Sequence, residues 1–93
     1  MSKWTFLTNY ALVLILLAKH QSISGRMLAE QLGITERAVR KIISELEAND
    51  YIKKIREGRK NKYAIEKGRP LRHKINQHIT IGSLLDHILN KKT

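Results

Sequence analysis

The stretch from Ser24 to Asn49, SGRMLAEQLGITERAVRKIISELEAN, constrains this chain more than any other. Two helical patterns are parted by Gly33-Ile34, and each begins on a residue able to cap it. Ser24 can accept the first free N–H groups of a helix over Gly25–Gln31, and Thr35 those of a second over Glu36–Asn49. In the second helix Val39, Ile43 and Leu46 recur at helical spacing and share one face, with Ile42 at its edge. Leu28, Leu32 and Ile34 are the inward residues of the shorter helix and the turn. At about 100° per residue, Arg37, Arg40, Lys41 and Ser44 fall on the opposite face of the second helix. A short helix, a tight turn and a helix with a basic outer face form the arrangement that enters a DNA major groove. The same pattern also fits any αα-hairpin with a solvated outer face.

Charge favours the first of these. The chain has 93 residues, one domain in size, and a formal net charge of +10. The excess is uneven: residues 1–50 carry six bases against five acids, and the remainder twelve bases against three. A basic sector on a folded domain points to a polyanion, nucleic acid before an anionic membrane. With no cysteine, disulfides, thiolate catalysis and cysteine-ligated zinc are excluded. The apolar run Tyr10–Ala18 is nine residues long, where a membrane span needs about 20. It also lacks the flanks of a signal peptide, so no membrane partner is expected and the reading is cytoplasmic, associated with the nucleoid.

That run predicts a helix from about Asn9 to Lys19, capped by Thr8 or Asn9, and a polar link over His20–Ile23. The helix is apolar all round, so more than one neighbouring surface must cover it. After Asn49-Asp50, both tolerant of the left-handed form that ends a helix, Tyr51–Glu57 reads as a short strand, apolar at Ile52 and Ile55. Gly58-Arg59-Lys60-Asn61 is a turn cluster, and Lys62–Glu66 alternates through Tyr63 and Ile65. Two strands about a basic tip make a β-hairpin, or wing, over 51–66. Gly68-Arg69-Pro70 then breaks the pattern and opens an extension.

At these residues the chain resembles winged helix-turn-helix transcriptional regulators, broadly of the MarR and GntR type. Leu28, Ala29, Leu32, Gly33, Val39, Leu46, Glu47 and Ile52 stand where that pattern expects them. The tail is similar to a narrower group of small prokaryotic regulators with a GR-x-N-x-Y wing and a PLRH…H…IG-x-LL ending. The resemblance covers about residues 8–89. It departs at Asp50, where the family has glycine, and at Lys74, where proline is expected after Arg72-His73. It implies a mainly α fold with a small β-hairpin (α+β): a three-helix core, a wing and a C-terminal helix. Residues 1–68 would form the DNA-binding domain and 69–93 a C-terminal extension.

Binding duplex DNA in this way asks for phosphate contacts and a few base readers. Arg26, Lys53, Lys54, Arg59, Lys60 and Lys62 supply cations for phosphates, with Asn61 beside them on the wing. Arg37, Arg40 and Lys41 can donate to guanine, Thr35 and Ser44 suit a base or a phosphate, and Glu36 stands with them at the helix start. Arg59, at the wing tip, is the candidate for a narrow minor groove. Lys53, Lys54 and Lys62 could instead merely keep an edge hairpin soluble. The four histidines show no helical pairing with a carboxylate, so no metal and no cofactor are expected. Acids are few and scattered and no nucleophile has a recognisable setting; the reading is not an enzyme.

In the extension, Thr80 can cap a helix over Ile81–Leu89 whose Ile81, Leu84, Leu85, Ile88 and Leu89 form one apolar stripe. Such a stripe is not left in water, and the first helix also needs cover. They can cover one another within a chain or between two chains. The symmetric arrangement, with Leu84, Leu85 and Ile88 at the contact, matches a palindromic duplex and favours a homodimer. The expected function is a sequence-specific regulator binding double-stranded DNA, with little room for an effector-binding domain. The alternatives are a non-specific architectural or RNA-binding protein and a winged-helix protein-interaction module.

Overall fold

Thr8 opens the first helix: its hydroxyl accepts the Ala11 N–H at 3.3 Å, and no glycine or proline interrupts the run that follows. The computed structural model describes residues 4–20 and 22–89, Lys60 by its backbone alone. In chain order the elements are α1 (Asn9–Lys19), α2 (Gly25–Leu32), α3 (Glu36–Ala48), β1 (Ile52–Glu57), β2 (Lys60–Ile65) and α4 (Ile81–Leu89). This is the expected α+β architecture of three helices, a two-stranded antiparallel wing and a C-terminal helix. Of the expected link His20–Ile23, Gln21 lies outside the described residues, as does the end of the extension after Leu89.

The local rules place the helix ends. The Ser24 hydroxyl accepts from Met27 N at 3.1 Å, and the Thr35 hydroxyl from Ala38 N at 3.0 Å. Both helices end in a left-handed residue followed by an N–H that reaches back five positions. Gly33, at φ +70°, is followed by Ile34 N–H donating to the Ala29 carbonyl at 3.1 Å. Asp50, at φ +63°, is followed by Tyr51 N–H donating to the Leu46 carbonyl at 2.9 Å. Asp50 is the single non-glycine residue with positive φ among those described. It adopts the form for which the family pattern uses glycine.

Three expectations change. On α3 the buried residues are Val39, Ile42 and Leu46, while Ile43 is half-buried. The core meets the helix one position earlier than the spacing suggested. β1 starts at Ile52, and the turn is only Gly58-Arg59, so Lys60 and Asn61 belong to β2 rather than to the turn. A two-residue connection with a glycine of positive φ first, Gly58 at +60°, follows the twist of the flanking strands. Finally, Ile52 is 1% exposed but Ile55 is 46% exposed. An odd spacing puts them on opposite faces of a strand, and the ladder (Ile52 opposite Ile65, Ile55 opposite Lys62) gives the core to Ile52.

α1 owes its all-round apolarity to its position: it touches α2, α3, β2 and α4. Val13, Leu14 and Leu17 meet Leu28, Ala29, Val39, Ile42, Leu46, Tyr51 and Ile52, and Ile81 and Leu85 of α4 join the same core. The C-terminal helix therefore packs on α1 of its own chain. Its stripe divides on docking: Leu85 is buried, Leu84 half-buried, and Ile88 exposed. Residues 69–81 turn back on themselves to deliver it. The Leu71 N–H donates to Ile79 O at 2.9 Å and the Ile81 N–H to Arg69 O at 2.8 Å. The His73 N–H donates to Asn76 Oδ1 at 3.1 Å, tightening the turn near Lys74.

Candidate nucleic-acid interface

α3 and the hairpin enclose a concave surface. From α3 it takes Glu36, Arg40, Ser44 and Glu47, from the α2 entrance Ser24 and Arg26, and from the hairpin Lys54, Arg59 of its turn, Asn61 and Tyr63. Strand parity explains the wing's share. Lys54 lies opposite Tyr63 and Arg56 opposite Asn61, so these four project on one side of the ribbon. Lys53 and Lys62 project on the other. There Lys53 pairs with Glu66 at 3.7 Å and Lys62 with Glu57 at 3.0 Å, both at partly exposed positions worth little in stability.

The residues expected to contact DNA thus fall into groups. Arg26, Glu36, Arg40, Ser44, Lys54, Arg59 and Asn61 line the cleft together. Arg37 and Lys41 are exposed on the adjoining strip of α3. Thr35 is engaged as the α3 cap, Lys53 and Lys62 lie on the far face of the wing, and the Lys60 side chain is not described. Among the described residues Arg37, Arg40, Lys41, Lys54 and Arg59 make no ion pair, which leaves their charge available to a polyanion. Arg26 pairs only loosely with Glu30, at 3.9 Å.

Sequence reasoning missed Arg56, Ser24, Glu47 and Tyr63. Arg56 follows from Lys54 by simple alternation and shares its face; its Nε donates to Gly58 O at 3.3 Å, beside the turn. In the sequence Tyr63 marks only the alternation of the second strand. It stands at the cleft wall, where burial, and then the Glu47 carboxylate, lift its phenol above the usual 10.0. Among the described residues no three of His, Asp or Glu gather as metal ligands, and no helix is long and apolar enough to cross a membrane.

A helix-turn-helix with a wing across a basic cleft defines a class, the winged-helix DNA-binding regulators. A family model described as "HTH domain" matches residues 9–62, more than half of the chain, and the chain belongs to that family. Among solved structures it is similar to T. potens IscR, at 13% identity and TM-score 0.58, with 97% of this chain and 92% of that one covered; this likeness is one of fold. No curated protein matches the sequence.

Proposed function

We propose that the protein is a sequence-specific regulator of transcription that binds double-stranded DNA as a homodimer. On this reading it is a small prokaryotic protein of the MarR and GntR kind, acting at the nucleoid. One observation carries the reading: Arg40 and Ser44 of α3 share a concave surface with Lys54, Arg59 and Asn61 of the wing, and among the described residues Arg40, Lys54 and Arg59 pair with no carboxylate. α3 supplies base-edge donors in the major groove while the wing engages phosphates and the neighbouring minor groove. Residues 1–68 carry this recognition, and the extension 69–93 completes the core and serves the dimer.

Selection from a random duplex pool at near-physiological salt is the direct test. Enrichment of a two-fold motif is the expected result. A pool that returns unenriched, with binding that depends steeply on salt, overturns sequence specificity and leaves a backbone binder.

A further inference from the structure

Separate from the cleft, α1, the C-terminal part of α3, α4 and residues 71–76 leave a largely apolar groove of about 440 Å³. Tyr10, Ala11 and Ile15 form one wall, Leu84 and Ile88 the other. It shares no residue with the cleft. Just before α1 the chain carries Trp4 and Phe6, 67% and 92% exposed, with ring centroids 4.9 Å apart and edge to face. Only Leu7 and Thr8 separate Phe6 from α1, and the Thr5 hydroxyl donates to the Leu7 carbonyl within that short tether. Among the described residues, therefore, the arm stands in solvent and the groove beside its own root is open.

We propose that the groove receives the aromatic arm of a second copy of this chain, Trp4 and Phe6 of each protomer seating against α1 and α4 of the other. This rests on the dimer in the proposed function and names its surface. Three observations favour a second copy. The two complementary parts, an exposed aromatic pair and an apolar slot, occur on one chain, which is what a two-fold, self-complementary contact requires. The charge fits as well: on a chain of net charge +10 the groove is lined by one carboxylate, Glu45, and one guanidinium, Arg72, with His73 beside it. Opposed charges on this face limit the repulsion between two such chains. The area is also adequate. Aromatic rings bury about 150–250 Å² each, so two exchanged arms and the walls they cover reach about 1,200–2,000 Å², the size of a stable interface. Because cleft and groove are separate, the exchange leaves both reading surfaces free.

Trp4 is the only tryptophan, so its emission reports the arm directly. The experiment follows sedimentation and tryptophan emission of the full chain together, without DNA, from nanomolar to tens of micromolar. The expected result is a monomer–dimer transition in which emission shifts to shorter wavelength as the dimer forms. Trp4→Ala with Phe6→Ala should weaken the dimer at least about 100-fold, the scale of an aromatic anchor lost from each half. Ile88→Glu, at an exposed groove position, should weaken it while the helical content stays unchanged. An equimolar mixture of the armless and Ile88→Glu chains should associate more tightly than either alone, because it restores one intact arm-in-groove contact. A monomer throughout the range overturns the proposal. So does a dimer whose Trp4 stays open to a water-borne quencher, or a Trp4 already shielded in the monomer, which would mean that the arm folds into its own groove. Loss of duplex binding with the arm exchange intact would count against the DNA reading alone.

Discussion

The Tyr51 hydroxyl donates to the Pro70 carbonyl at 2.6 Å, a bond between the link from α3 to β1 and the start of the C-terminal extension. Tyr51 is 6% exposed, packed in the core, and the Arg69 guanidinium lies 5.8 Å from the centre of its ring. One side chain thus joins the helix-turn-helix to the segment that brings α4 back onto α1. Tyr51→Phe keeps the packing but leaves the carbonyl without its donor. A loss of about 1–2 kcal/mol in urea unfolding is expected, with the m-value unchanged. No loss would mean that water satisfies Pro70 equally well.

Gly82 gives a second handle on the same docking. Its N–H donates to the Lys67 carbonyl at 2.9 Å, and a methyl group there would lie 2.8 Å from Lys67 Cβ and 2.9 Å from that carbonyl oxygen. Backbone cannot yield as a flexible side chain does. Gly82→Ala should therefore cost about 1–3 kcal/mol, while Gly68→Ala, with open space around it, should be tolerated. Thermal unfolding of the pair checks this, and equal midpoints would show that α4 can shift without penalty.

Asp50 holds the left-handed form at φ +63° that ends α3. Asp50→Val should destabilise the fold by about 1–2 kcal/mol, since a β-branched residue resists that conformation, and Asp50→Gly should be neutral or stabilising. A valine variant as stable as the wild type would show that the chain leaves α3 by another path.

On the reading surface, Arg40→Ala should cost about 1–3 kcal/mol against the selected duplex and relax preference at one base pair per half-site. Arg59→Ala should weaken selected and random duplexes alike and lower the salt slope by about one unit. Binding isotherms at several salt concentrations separate the two outcomes. A uniform loss in the Arg40 variant would make that residue a phosphate contact.

The Tyr10 hydroxyl donates to the Glu45 carboxylate, and this bond, ahead of burial and the carboxylate's charge, holds the Tyr10 phenol above its ordinary 10.0. A raised phenol contributes stability that is complete below the ordinary value and is lost as pH rises through the raised one. Glu45→Gln should bring one phenolate titration back toward the ordinary value and make stability fall less steeply above it. An unchanged titration would show that the pair does not persist in solution.

What the sequence determined by itself is local. Ser24, Thr35 and Thr8 cap the helices, Gly33 and Asp50 end two of them, and the basic strip of α3 lies opposite its buried face, because capping and periodicity act within a few residues. The tertiary structure decided whatever depends on residues distant in the chain. It chose Ile42 over Ile43 for the core and made Ile52, not Ile55, the inward strand residue. It put Lys54 rather than Lys53 at the cleft, because one parity of the ladder faces α3. It also placed Leu85 on α1 of its own chain while leaving Ile88 outside. An apolar stripe states that a surface must be covered, but not by which partner. That choice belongs to the Tyr51–Pro70 bond and the close approach at Gly82, contacts whose geometry exists only once the chain has closed on itself.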